Sequence, residues 1–315
     1  MSFSSKTKNE LSRIKSEDRC CMLAQLSAIL RVSGSINLQG LNKLKVEILT
    51  ENAASARLIF TLFKKSLGIQ TEIIVKKNHS LKKTHTYIIT LVEAKTILET
   101  LGIISFEKGY FEIIDTIPKK FTDKECCIRA YTRGIFVGGG SVSDPEKGYH
   151  LEFVTHSLDF AEQFSEILNS TYDLNSKVIN RKNSHIVYLK EGDQIVDLLN
   201  IIGAHNALMD FENVRIVKEV RNKVNRLVNC ETANLNKTVN AAYDQVQNII
   251  YIKETVGLGY LPDNLIEVAN IRLENREASL VEIGQLLNKS VGKSGVNHRF
   301  KRIEKIANEI RERNE

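Results

Sequence analysis

A chain of 315 residues is longer than one average domain and predicts about two. Its composition, 42% hydrophobic and 26% charged, excludes disordered, collagen-like and mucin-like classes. The net charge of +6 permits an acidic partner such as nucleic acid but does not require one, because solvated lysines alone would produce it.

Several further exclusions follow from the residues. No run of ~18 apolar residues occurs, so no membrane span is expected. The opening MSFSSKTKNELSRIK lacks the apolar core of a secretory signal, and a cytoplasmic protein is expected. Five cysteines, Cys20, Cys21, Cys126, Cys127 and Cys230, suit a reducing compartment. Adjacent thiols on a helix point about 100° apart, so each Cys-Cys pair is a poor chelate. With no C-x-x-C motif present, neither a metal nor a cofactor is expected.

The two Cys-Cys pairs mark an internal repeat. Cys20–Ile36 (CCMLAQLSAILRVSGSI) aligns with Cys126–Val142 (CCIRAYTRGIFVGGGSV), 106 residues apart. Ala24 meets Ala130, Gly34 meets Gly140 and Ser35 meets Ser141. One residue is then lost, so KVEILT at Lys45 aligns with HLEFVT at His150, and Lys76-Lys77-Asn78 with Arg181-Lys182-Asn183, at a spacing of 105. Leu98 and Gly102 align with Leu199 and Gly203 at 101. A register held this long predicts two copies of one unit, about 20–118 and 126–205.

In each copy an apolar helix ends at Gly-Ser. Alternating strand patterns follow, Leu44-x-Val46-x-Ile48 and Leu151-x-Phe153. Next comes a helix (53–67; 158–168), two strands (71–75 with 86–91; 177–180 with 185–189), and a short helix before Gly102 or Gly203. The order αββαββα, twice, predicts an α+β fold with a pseudo-twofold axis rather than a doubly wound parallel sheet. Small residues recur on the opening helices: Ser27, Ala28 and Gly34 in one, Gly134, Gly138, Gly139 and Gly140 in the other. Glycine inside a helix costs ~1 kcal/mol relative to alanine, so several together predict close packing of the two helices.

Leu26–Ser35 (LSAILRVSGS) and Thr132–Ser141 (TRGIFVGGGS) resemble worn copies of the LAGLIDADG homing-endonuclease motif. The resemblance implies a helix pair at the interface, two saddle-shaped sheets over DNA, and a metal on the last acidic residue of each motif. Those positions are Ser33 and Gly139, and neither supplies the carboxylate a hard divalent ion needs. Loss of nuclease activity is therefore expected. Lys76, Lys77, Lys82 and Lys83, with Arg181 and Lys182, fall at matched hairpin turns and are candidates for contacts with the DNA backbone.

After Gly203 the pattern changes. A mostly charged helix, about 206–228, reads as a connector, followed by an Asn-rich stretch from Asn229 to Thr238. Helices are expected at about 238–255, 263–275 and 280–288, and a last one from near Gly295. Ser279-Leu-Val-Glu282 is a capping box. In the last helix Val296, Phe300, Ile303 and Ala307 form an apolar stripe, while His298, Lys301, Arg302 and Lys305 lie opposite. Residues 289–305 hold six Lys/Arg and one acid, Glu304. Short helix, turn and basic helix predict an all-α helix-turn-helix domain within 219–315, after an α+β domain spanning 1–218. Candidate DNA contacts are Lys293, Ser294, Asn297, His298, Arg299, Lys301, Arg302 and Lys305.

Four segments together resemble the WhiA family of sporulation and cell-division transcription regulators: Arg133–Val142, Asp144–Glu152, Asn229–Asn234 and Lys293–Arg299. The resemblance implies a nuclease-dead LAGLIDADG-like domain joined to a helix-turn-helix. It further implies double-stranded DNA as the partner, RNA polymerase or a sigma factor as a possible second partner, and association with the nucleoid. A monomer with internal pseudo-twofold symmetry is expected. Rival readings are an active nuclease or RNA maturase and a protein-binding scaffold of the division or transcription machinery.

Overall fold

The computed structural model describes residues 1–39, 43–77, 85–107 and 110–314. They divide into two compact units, Met1–Lys218 and Glu219–Glu315.

The first unit opens with α1 (Phe3–Leu11), which the polar N-terminal sequence did not announce. Its Leu11 is fully buried, and its Glu10 carboxylate accepts from the backbone N–H groups of Asn206 and Ala207 (2.7 and 3.0 Å). These amides lie in the first turn of α8 (His205–Thr255), where helix N–H groups lack internal partners.

The first repeat comprises α2 (Arg19–Ser33), β1 (Gly34–Leu38), β2 (Leu44–Thr50), α3 (Ala53–Leu62, continued as a π-turn over Phe63–Leu67), β3 (Glu72–Lys77), β4 (His85–Leu91) and α4 (Lys95–Thr100). A hairpin, β5 (Ile104–Glu107) with β6 (Tyr110–Ile113), follows; it has no counterpart in the second repeat and no signal in the repeat register. The second repeat comprises α5 (Glu125–Gly139), β7 (Gly140–Val142), β8 (Leu151–Thr155), α6 (Leu158–Tyr172), β9 (Lys177–Arg181), β10 (Ser184–Leu189) and α7 (Gly192–Ile202). The two antiparallel sheets have the same topology, β1-β2-β4-β3 and β7-β8-β10-β9. The αββαββα order is the observed one.

Local chemistry explains the boundaries. Asn52 Oδ1 accepts from the amides of Ala54 and Ser55 at 2.9 and 3.0 Å, starting α3. Gly203 sits at φ +85°, closing α7 in the left-handed region where glycine carries no Cβ penalty. Strand residues alternate across each sheet: Leu44, Val46 and Ile48, like Leu151 and Phe153, are buried under the helices.

The helix pair α2·α5 lies at the centre. A Cβ on Gly134 would come within 2.4 Å of the Gln25 carbonyl oxygen and 2.7 Å of Ala28 Cβ. One on Gly138 would meet Val32 Cγ2 at 2.5 Å. Gly134 and Gly138 are thus close contact points between α5 and α2, as their helical positions predicted, whereas Gly34 and Gly140 lie against Leu30 and Phe136 of their own helices.

The second unit is all-α. Helix α8 (His205–Thr255) runs without a break, and the unit boundary falls within it. This corrects the sequence reading of a connector ending before an Asn-rich stretch: residues 229–238 are helical. Asparagine is only a moderate helix former, but no glycine or proline occurs in α8 to end it. Then come α9 (Asp263–Glu274), α10 (Leu280–Leu286) and α11 (Lys293–Asn314) around a core of Ile249, Leu265, Val268, Ile283, Val296, Phe300 and Ile303. No helix among the described residues is long and apolar enough to cross a membrane.

Candidate nucleic-acid interface

The turn before α11 is built by one close approach. Val291 N–H donates to the Gly284 carbonyl (3.1 Å), and a Cβ on Gly284 would lie 2.1 Å from Val291 O. Gly284 therefore admits the backbone of the turn itself, rather than only a crossing helix. The capping box is complete: Glu282 N–H donates to Ser279 Oγ (3.3 Å) and Ser279 N–H donates to Glu282 Oε2 (2.7 Å). That backbone hydrogen bond holds the Glu282 carboxyl below its usual range. Ser279→Ala is expected to cost the second unit about 1 kcal/mol, read as a lower denaturation midpoint. The Glu282 contribution is present above the ordinary glutamate pKa, where the carboxylate is charged in both states. It fades as pH falls through the lower folded-state value; Ser279→Ala keeps the backbone N–H that Glu282 accepts from, so variant and parent should lose this contribution together and the gap between them should change little in acid.

A side chain that the sequence reading missed holds the α9–α10 junction. Arg272 is only 1% exposed. Its Nη1 donates to the carbonyls of Ala278 (2.6 Å), Asn275 (3.3 Å) and Arg276 (3.4 Å), and its guanidinium lies 5.1 Å from the centre of the Phe300 ring. Burial lowers its pKa. An arginine in a helix ordinarily reads as solvated surface, and only the chain reversal after α9 supplies its carbonyl partners.

Helix α11 then presents two faces. Val296, Phe300, Ile303, Ala307 and Ile310 are buried. Lys293, Ser294, Asn297, His298, Lys301, Arg302 and Lys305 are exposed together on the other side. Arg299 differs from the other candidates. Its side chain is 21% exposed, pairs with Glu267 of α9 at 3.8 Å and donates to the Asn264 carbonyl at 3.4 Å. It braces α11 against α9, so truncating it would loosen that packing as well as remove a charge. Lys305 makes an exposed i,i+4 contact with Glu309 at 3.9 Å, a pairing of little energetic weight.

The two four-stranded sheets of the first unit are less basic than the matched turns suggest. Strand register puts Lys45, Glu47, Glu72 and Lys76 on the outer face of one sheet, and Glu152, Lys177 and Arg181 on that of the other. Lys45 pairs with Glu47 at 2.6 Å, and His150 Nε2 lies 3.1 Å from Glu152 Oε2. Lys77 falls on the opposite face from Lys76. Lys182 occupies the turn after β9 at φ +53° and is exposed. Lys82 and Lys83 lie outside the described residues.

The C-terminal ends of α2 and α5 are where the LAGLIDADG pattern would hold a divalent metal. Ser33 Oγ donates back to the Ile29 carbonyl at 2.7 Å. Gly139 abuts β8 so closely that a Cβ would meet Val154 O at 2.8 Å. The residues present do not fit a hard cation.

The N-terminal ends of the same helices hold an arrangement that residue spacing concealed. Cys20, Cys21, Cys126 and Cys127 place all four sulfur atoms within 4.8 Å of one another. A hydrogen bond from the Cys127 thiol lowers Cys20 below the usual thiol range, while burial pushes Cys127 up to about 12 and Cys21 higher still.

Models of three domains match this chain: the WhiA N-terminal LAGLIDADG-like domain over residues 19–104, the WhiA LAGLIDADG-like domain over 128–221, and the WhiA C-terminal HTH domain over 224–307. The chain belongs to the WhiA family. A relative from Alkaliphilus metalliredigens, named a probable cell division protein WhiA, is 51% identical over 314 residues, covering 99% of both chains. One of the same name from Clostridium botulinum is 55% identical over 315 residues, again covering 99% of each. The crystal structure of full-length WhiA from Thermotoga maritima superposes with a TM-score of 0.60 at 26% identity, covering 98% of this chain and 99% of that one. The WhiA HTH match encloses α10, the turn and every candidate contact on α11. The two LAGLIDADG-like matches correspond to the two repeats.

Proposed function

We propose that this WhiA-family chain is a DNA-binding regulator of cell-division or sporulation genes that does not cut DNA. The observation that carries the reading is the exposed polar and basic face of α11, set behind a short helix and turn, with the apolar face buried beneath it. Such a helix can enter the major groove, where Arg and Asn read base edges and Lys neutralises phosphates. The mixed charge on the sheet faces of the first unit supports a positioning role there, with most of the affinity on α11. The name shared by the relatives supports the link to cell division. RNA polymerase or a sigma factor as a second partner rests on the family resemblance, and nucleoid association follows from the DNA reading. Ser33 and Gly139 in place of metal-binding acids support loss of cleavage: supercoiled plasmid with Mg²⁺ or Mn²⁺ should remain intact.

The test is affinity for preferred and random duplexes at several salt concentrations. Binding should weaken steeply with salt, since each phosphate contact releases counterions. Lys301→Ala should weaken all duplexes alike and reduce the salt slope by about one. Arg302→Ala, if it pairs with a guanine edge, should cost ~1–3 kcal/mol on the preferred site alone. Unchanged affinity in both variants, with the thermal melt intact, would remove α11 as the reader.

A further inference from the structure

We propose that Cys20, Cys21, Cys126 and Cys127 bind one zinc ion as a four-thiolate site that ties together the N-terminal ends of the two repeat helices. The site is separate from the one implied by the LAGLIDADG resemblance, since Ser33 and Gly139 terminate the same helices about 20 Å away at ~1.5 Å per residue.

The geometry comes from the pseudo-twofold. Each Cys-Cys pair occupies the second and third positions of its helix, after Arg19 in α2 and after Glu125 in α5. One pair alone splays its sulfurs around the helix and cannot close on an ion. Two such pairs, brought face to face by the packing of α2 on α5, supply four sulfurs within 4.8 Å of one another. Tetrahedral zinc with bonds of about 2.3 Å holds its sulfurs about 3.8 Å apart, so the cluster needs to contract by no more than about 1 Å. Rotation about the cysteine side-chain torsions supplies that movement without shifting the glycine-packed helices.

The surroundings suit the charge. Zinc with four thiolates carries a net charge of −2, and the positive ends of two helix dipoles converge on it. Neither helix spends its first-turn amides on a side-chain cap: Asp18 and Lys124 occupy the cap positions but accept no such bond. Apart from the Cys127 N–H, which donates to the Lys124 carbonyl at 2.9 Å, those amides are available to donate to sulfur. Lys124 is close enough to Cys20 to act on it electrostatically, and Arg133 is similarly close to Cys21. Arg129 and Arg133, together with the acids Glu17, Asp18 and Glu125, share with Cys21 and Cys126 the wall of an open cleft of about 640 Å³, which provides a route of entry. All four thiols are free, and a donor set made only of sulfur selects a soft thiophilic ion. A multi-iron cluster would spread its ligands farther apart. Binding forms four Zn–S bonds and releases the four thiol protons to solvent, with no change of oxidation state.

The test uses the full chain, produced with zinc in the medium and purified anaerobically. Elemental analysis should find about one zinc per chain. Cobalt exchanged into the site should give the visible bands of a tetrahedral ion and strong thiolate-to-metal charge transfer. A thiol reagent should find one fast-reacting cysteine, the exposed Cys230, and the other four should appear only as zinc is released. The double variant Cys20→Ser/Cys126→Ser alters the two less buried ligands and leaves Cys21 and Cys127 in the core; it should keep its helical circular dichroism and lose the zinc. Metal-free protein, with Cys20 and Cys126 as open to the reagent as Cys230, would overturn the proposal. So would disulfides found among the four cysteines by mass, or zinc retained by the folded double variant.

Discussion

Gly134→Val should lower the denaturation midpoint of the first unit by the equivalent of about 3 kcal/mol or more, placing it at or above the upper end of ordinary overpacking effects. The first added carbon would stand 2.4 Å from the Gln25 carbonyl oxygen and 2.7 Å from Ala28 Cβ. A flexible side chain could swing away from such an intrusion, but a carbonyl inside α2 cannot move without breaking the helix ladder. The helices must separate, and the contacts along α2·α5 are lost together because interiors are close-packed. Gly192→Ala is the control: its Cβ would find neighbours no nearer than 3.4 Å, ordinary contact distance, so the midpoint should hold. Two units make a single transition unsafe to assume, and the measurement needs probes that follow each unit separately. A Gly134→Val chain as stable as its parent would mean that α2 and α5 do not meet as described.

Val296→Asp should abolish cooperative unfolding of the second unit and weaken binding to every duplex. Val296 is fully buried in the cluster formed with Ile283, Phe300 and Ile303. An ionised carboxylate there has no partner, and desolvating it costs several kcal/mol, a large part of the 5–15 kcal/mol that holds a typical domain. Lys301→Ala and Arg302→Ala, on the exposed face one turn away, should leave the melt unchanged and weaken binding through lost charge and donors alone. Arg299→Ala should do some of both, because its ion pair with Glu267 ties α11 to α9. If Val296→Asp unfolds the unit while duplex affinity persists, the two four-stranded sheets of the first unit carry the binding, and Lys76→Glu with Arg181→Glu becomes the decisive variant.

The sequence by itself determined the elements whose signal is local or periodic. Alternation along Leu44–Ile48 and Leu151–Phe153 marked strands, Ser279 with Glu282 marked a helix start, and the stripe from Val296 to Ala307 separated the buried and exposed faces of α11. The repeat register doubled the weight of each such sign, and the glycines of α5 pointed to the helix pair because nothing local in a helix favours them. Tertiary structure decided whatever depends on groups distant in sequence. Arg272 is buried only because the chain turns back to offer three carbonyls, and Glu10 caps a helix some two hundred residues away. Arg299, a candidate DNA contact, also acts as a brace because α9 places Glu267 beside it. The cysteines show the limit most directly: as adjacent residues on one helix they are poor ligands, and only the twofold crossing of α2 and α5 gathers their four sulfurs. Chelation needs convergence in space, and residue spacing reports convergence only when the ligands share a loop or a helix face.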